Sequence, residues 1–311
     1  MRAATASQAS WAHSRERGTL WLMRLTVIAL RRLGRPVMLP VVRLIALYFF
    51  VFGRQARCAS LDYLRRVQAA IPESGLRPTL WHAHRHFQQF ADSILDKLDA
   101  WAGRVNYDTV YFEDHATLRG VAASGRGVLI VGSHLGNLEI CRALAKLNNR
   151  VRLNILVHTR HADYFNRVLE MAGASDVELV QVTAFDAGLA LVLKERIARG
   201  EWVVIAADRV PVHGARTVDV RFLGGTAPLP IGPYVLAGVL GCPVVLLFCM
   251  RRGGRIHIDF ERFAASIEWR RDDRSAVIAG QAQRFADRLE HHLRLAPLQW
   301  FNFYPFWRDD D

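Results

Sequence analysis

The stretch Gly127-Val-Leu-Ile-Val-Gly-Ser-His-Leu-Gly-Asn-Leu-Glu139 decides the fold. Its opening run, 127–132, is apolar without polar alternation, which suits a strand buried on both faces. Gly136 and Asn137 break that run, and a helical pattern follows over 137–147. The same texture recurs along the chain. Apolar runs at 152–157, 177–182, 202–207, 218–223 and 243–249 read as strands, with an outer strand at 255–260. Helical patterns fill 80–100, 162–172, 186–199, 230–240 and 275–294. Strands separated by helices predict an α/β fold, a mainly parallel central sheet flanked by helices. Chemistry in such sheets gathers outside the carboxyl ends of the strands, which directs attention to 133–137, 208–214 and 224–232.

The first of these segments carries H-x-x-x-x-E, formed by His134 and Glu139. Two positions five apart on one regular helix diverge by about 140°, so the side chains can meet only if His134 precedes the helix. Asn137 then serves as cap and Glu139 falls in the first turn. Such a pair makes a catalytic dyad: the imidazole takes a proton from an attacking hydroxyl, and the carboxylate holds the other ring N–H. The pattern is weak by itself, because a helix N-terminus welcomes any acid and a loop histidine can simply bond to backbone.

Composition narrows the function classes. The 311 residues carry a formal net charge of +12, and residues 1–57 alone hold ten arginines against one acid, Glu16. A basic excess beside an apolar stretch suits anionic lipid head groups, whereas a nucleic-acid domain spreads it over a polar face among aromatics. No nucleic acid partner is therefore expected. Cys58, Cys141, Cys242 and Cys249 are scattered with no C-x-x-C, which suggests neither a disulfide framework nor zinc. A reducing, cytoplasmic-side setting fits.

From 20 to 53 the chain is mostly apolar, with arginines at 24, 31, 32, 35 and 43 and a Gly34-Arg35-Pro36 break between two helices. The second piece, 36–53, is about 27 Å long as a helix, against a hydrocarbon core of roughly 30 Å. Membrane anchorage is expected; a full span and an interfacial or re-entrant pair both remain open. A cleaved signal peptide fits less well, because arginines interrupt the apolar core and no A-x-A-like site follows. A buried core helix with a paired Arg43 is the soluble alternative. The expected division is 1–57 as membrane-associated helices and 58–311 as the catalytic domain.

Several blocks taken in order resemble the bacterial lipid A late acyltransferases, a branch of the lysophospholipid acyltransferase superfamily. They are Trp11…Glu16-Arg-Gly18, Arg57-Cys-Ala-Ser60…Tyr63-Leu64, Gly132-Ser-His134…Glu139, Asp208-Arg209, Phe222-Leu-Gly224…Pro228-Leu-Pro-Ile-Gly-Pro233 and Pro297-Leu-Gln-Trp300…Phe306-Trp307. The resemblance implies a glycerol-phosphate acyltransferase-like fold with His134 and Glu139 catalytic. It implies acyl transfer from acyl carrier protein to a hydroxyl of a lipid A-type or related acceptor, at the cytoplasmic face of the inner membrane, with no cofactor. Asp208 and Arg209 match a block associated with the active-site cleft, where Arg209 would steady a phosphate or an oxyanion. Ser133 and Asn137 join them as substrate-binding candidates, as do Gly224, Gly225 and Thr226, whose loop would line a groove. The glycerol-phosphate branch carries a Glu-Gly-Thr-Arg block, but here the stretch reads Gly224-Gly225-Thr226-Ala227. That departure favours the lipid A-like branch, and the aromatic ending 299–307 leaves room for an aryl polyene or other specialised pathway.

Other features are read as structural. His82, His84 and His86 lie in a helical pattern where only the first and last share a face, so no metal site is expected. His291 and His292 complement a helix end. Ser133 lacks a G-x-S-x-G elbow, and neither a Walker A loop nor a dinucleotide fingerprint appears. A thioesterase is the second enzymatic reading, and a lipid-binding membrane protein without chemistry is the non-enzymatic one.

Overall fold

A computed structural model of the chain describes residues 20–101, 104–105, 109–138, 140, 151–157, 177–181, 186–210 and 216–308. Among these residues, three helices come first: α1 (Leu20–Phe52), α2 (Arg54–Ala70) and α3 (Leu80–Trp101). Next come β1 (Val110–Phe112), α4 (His115–Ala123), β2 (Val128–Gly136), β3 (Leu153–Val157), β4 (Val177–Gln181), α5 (Ala187–Ala198) and β5 (Trp202–Ala206). The chain continues through β6 (Thr217–Phe222), β7 (Gly225–Pro230), α6 (Gly232–Leu240), β8 (Val244–Arg252), β9 (Arg255–Ala264) and α7 (Arg274–Leu295).

The central sheet runs β1-β9-β8-β2-β5-β3-β4, and β6 pairs with β7 in a separate hairpin. Strands β8, β2, β5, β3 and β4 are mutually parallel, as the continuous apolar runs require. Both faces of the sheet are packed. Leu129, Val131, Val203, Ile205, Leu246 and Phe248 join α6 and α7 in one core. Their neighbours one position along, such as Val128, Ile130, Val204, Val245 and Leu247, face a second core with Val121 of α4. Burying each such aliphatic side chain is worth about 1.5–3 kcal/mol, so the two-faced sheet is the main stabilising element.

The structure departs from the sequence reading in three places. The outer strand extends to Ala264 and runs antiparallel to β8 through a Gly253-Gly254 turn, which makes the sheet mixed. The segment 224–232, expected as a loop, contains strand β7 and the start of α6. Strand β2 continues to Gly136 with a break in register. The helices expected over 137–147 and 162–172 fall largely or wholly outside the described residues.

Helix α1 is broken at Gly34 (φ 76°), within the expected Gly-Arg-Pro break. Its second half lies antiparallel along α3, with Met38, Val42 and Ala46 packed on Ala91 and Leu95. Arg35 pairs with Asp96 at 2.6 Å and Asp99 at 2.9 Å, and Arg43 with Asp92 at 3.1 Å. The stretch Gly34–Phe52 is long and apolar enough to cross a membrane by length and composition.

Candidate active site

The end of β2 positions the site by leaving the ladder. Up to Gly132 the strand pairs residue for residue with β8, Gly132 opposite Leu247, but Gly136 stands opposite Cys249. Two extra residues on β2 therefore bulge out of the sheet, and His134 lies among them. The way back is fixed by Gly136 at φ 72°, where any Cβ would strike the Cys249 carbonyl oxygen. Asn137 N–H then donates to that oxygen at 2.8 Å. The C-terminal segment closes over the bulge: Gly136 N–H donates to Gln299 O at 2.8 Å, Phe301 N–H to His134 O at 3.3 Å, and Leu135 bridges Trp300.

Asp208 arrives from the neighbouring strand. Gly132 on β2 is opposite Ala206 on β5, so His134 and Asp208 each sit two residues beyond a matched pair. The two side chains meet there. His134 Nδ1 lies 2.8 Å from Asp208 Oδ1, and the His134 backbone N–H donates to Oδ2 at 2.7 Å. Trp300 Nε1–H also donates to Oδ2, at 2.9 Å. Asp208 is fully buried, while the His134 side chain is 36% exposed. Burial alone would raise the Asp208 pKa, but His134 and the nearby Arg209 outweigh it and hold the carboxyl below its ordinary range. An ionised carboxylate on Nδ1 keeps the proton there and leaves Nε2 as the basic nitrogen.

The surroundings of Asp208 are otherwise aromatic. Tyr234 is buried close by, and burial together with the Asp208 charge pushes its hydroxyl well above the usual range. The Trp300 ring packs against Tyr63, Phe222 and Phe306. His86, also fully buried, bonds through Nδ1 to Ser60 Oγ at 2.9 Å and through Nε2 to Trp300 O at 3.0 Å. Burial lowers its pKa to about 4, so it stays neutral and structural.

Of the residues singled out from sequence, the structure brings His134, Ser133, Asp208, Arg209 and Asn137 to the same edge of the sheet. Ser133 is buried and its Oγ accepts from Leu135 N–H at 3.2 Å, a contact that braces the bulge. Asn137 Nδ2 donates to Ser93 O at 2.9 Å, tying the site to α3. Arg209 donates from Nη2 to Phe301 O, so it clamps the closing segment. Gly224, Gly225 and Thr226 lie at the β6–β7 turn, where Gly225 is close against Arg66 and Trp307 and Thr226 O accepts from Arg308 N–H. Glu139 lies outside the described residues; the carboxylate that the structure does place on Nδ1 is that of Asp208.

His82 and His84 bond locally, to Thr79 and Gln88. His292, expected to complement a helix end, is instead buried between two acids, with Nε2 2.7 Å from Glu261 and Nδ1 3.3 Å from Asp259. Its position seven residues after Phe285 and three after Leu289, on the buried face of α7, is what took it inside. Sequence reasoning missed two parts of the site: Asp208 as the imidazole's partner, and the Trp300 indole that holds it.

A family model described as bacterial lipid A biosynthesis acyltransferase matches residues 5–309. The chain is also similar to a phosphatidylinositol mannoside acyltransferase of Mycobacterium tuberculosis (strain ATCC 25618 / H37Rv), 22% identical over 197 residues. That match covers 63% of this chain and 59% of the mycobacterial protein.

Proposed function

This chain belongs to the bacterial lipid A biosynthesis acyltransferase family, and from that membership and the His134–Asp208 pair we propose that it transfers a fatty acyl group from a thioester to a hydroxyl of a membrane lipid. The observation that carries the reading is an imidazole whose Nδ1 is held by a buried, ionised carboxylate at the carboxyl edge of a parallel sheet. Nε2 of His134 takes the proton of the acceptor hydroxyl as its oxygen bonds to the thioester carbon. The tetrahedral intermediate collapses with cleavage of the C–S bond, and the leaving thiolate takes the proton back from the imidazolium. Asp208 stabilises the transient imidazolium and Arg209 steadies the charge developing on the carbonyl oxygen, while Glu139, the acid of the H-x-x-x-x-E pattern, is the further catalytic candidate.

The donor in this reading is acyl carrier protein, whose acidic surface suits the basic chain. The acceptor is a lipid A-type or related phosphorylated glycolipid, and the similarity to a mannoside acyltransferase supports a sugar hydroxyl. The enzyme works at the cytoplasmic face of the inner membrane, held there by α1. Purified full chain, acyl carrier thioester and extracted lipids test the proposal. Ester formation should fall by about a hundred- to ten-thousandfold in His134→Ala; undiminished transfer refutes the base, and free fatty acid as main product despite abundant acceptor points to a thioesterase.

A further inference from the structure

A cavity of about 480 Å³ opens beside the site. Its walls carry Arg35 from α1, Asp96 and Asp99 from α3, Arg104, and Arg251 and Arg255 from the β8–β9 turn. The floor is apolar, from Val105 and Ile256.

The charges are arranged for an anion. Asp96 receives both Arg35, at 2.6 Å, and Arg251, from Nη2 at 2.6 Å, while Asp99 receives Arg35 at 2.9 Å and Arg104 at 3.3 Å. The two aspartates thus act as struts between guanidinium groups, and among the described lining residues four cations face two anions. Arg251 is further fixed by Gly254 O and, through its backbone N–H, by Gln299 Oε1 at 2.9 Å. Pre-set guanidinium groups lose little entropy on binding and hold positive charge at the cavity wall, with the Nε/Nη2 fork of Arg251 itself turned onto Asp96.

Placement narrows the ligand. Strand β9 is two strands across the sheet from β2, about 10 Å at the usual spacing. Arg251 and Arg255 therefore lie at the same edge of the sheet as His134. Arg35 opens the apolar helix 34–52, so the cavity also marks one end of an exposed apolar surface.

We propose that this cavity is a phosphate subsite that holds a phosphate group of one of the two reactants while a hydroxyl or thioester reaches His134. The inference rests on the acyl-transfer reading above. The phosphate has two possible sources, a lipid headgroup or the phosphopantetheine arm of a carrier.

Full-chain protein in neutral detergent micelles is titrated by calorimetry with dihexanoyl phosphatidic acid and, separately, with 4′-phosphopantetheine. At least one should bind, the first marking a headgroup site and the second a donor site. The doubly substituted Arg104→Ala, Arg255→Ala chain should bind it about tenfold or more weakly and raise KM for the matching substrate with kcat little changed. Arg255→Lys should recover part of the affinity, which a mere folding defect would not allow. Binding of neither probe, or wild-type affinity in a folded double variant, overturns the subsite. His134→Ala should bind the probe normally without transferring acyl groups. Arginine-dependent binding in a wild-type protein that makes no ester would leave the subsite standing and remove the acyl-transfer reading instead.

Discussion

Asp208 grips His134 at two points, the ring through Oδ1 and the backbone N–H through Oδ2, so the carboxylate fixes both the tautomer and the direction of the ring. Asp208→Asn keeps the shape but can place a donor against Nδ1–H, favouring the wrong tautomer. The expected loss in kcat is about a hundred- to ten-thousandfold with an unchanged circular dichroism spectrum, measured by steady-state transfer. Trp300→Phe removes the indole N–H that donates to Oδ2 together with part of the ring packed against Tyr63, Phe222 and Phe306. Its expected costs are roughly 1–3 kcal/mol in denaturant unfolding and a fall in kcat; lost stability with kcat unchanged would show that the indole merely fills space. At this scale His134 was legible because a polar residue ends an apolar run between glycines. Asp208 was recognised as part of the cleft but not as the imidazole's partner, since the pairing depends on the alignment of β2 with β5. The indole donor was beyond reach, because Trp300 is 92 residues from Asp208 and enters through an irregular tail.

The elements themselves were read from apolar runs, and the central strands fall where those runs lie. Strand β6 falls where a run was read at 218–223, but its partner β7 escaped because Gly224, Gly225, Pro228 and Pro230 carry loop chemistry. A two-stranded ribbon tolerates them, since a proline costs nothing on the side of a strand that makes no ladder bond. The β2 bulge depends on one glycine: Gly136→Ala puts a Cβ into the Cys249 carbonyl at a positive φ. It should destabilise the fold by more than about 1 kcal/mol and displace His134, read as a lower melting temperature together with lost transfer. Helix α7 is tied to β9 by His292 and Arg288 around Glu261. Burial opposes the His292 charge, but Asp259 and Glu261 outweigh it and raise its pKa, while the same histidine and Arg288, against burial, lower Glu261 to about 2. The histidine's contribution to stability is full below its unfolded pKa of about 6.5 and is lost as pH rises through the raised folded value. That of Glu261 is full above an unfolded pKa of about 4.3 and is lost as pH falls toward the folded one. The α7 anchor should therefore be strongest between about pH 4.5 and 6.5. Melting temperatures of wild type and His292→Leu against pH test this: the decline above that window should flatten in the variant.

Over the whole molecule, the arginine excess near the N-terminus pointed toward a lipid surface but not to how the chain would meet it. The soluble alternative required the helix 34–52 to be buried, and only 17% of its most apolar window is. Leu44, Phe49 and Phe52 are 67%, 58% and 72% exposed, and Trp81 of α3 is 67% exposed. The opposite side of the helix is held against α3 by Arg35 and Arg43, which pair with Asp96, Asp99 and Asp92. A helix pinned in this way keeps a free apolar face, compatible with membrane association, while staying packed on α3. In the proposed reading, the site and the arginine-lined cavity then stay beside the lipid that supplies the acceptor. Replacing Phe49, Phe52 and Trp81 together by Ser removes three side chains worth about 1.5–3 kcal/mol each on full burial. If this face enters the bilayer, co-sedimentation of the full chain with anionic vesicles should weaken by at least about a hundredfold even after discounting for partial insertion. Transfer to a short-chain acceptor dispersed in water should persist, because none of the three touches His134. Vesicle binding that survives these changes but disappears in high salt would assign attachment to the arginines alone.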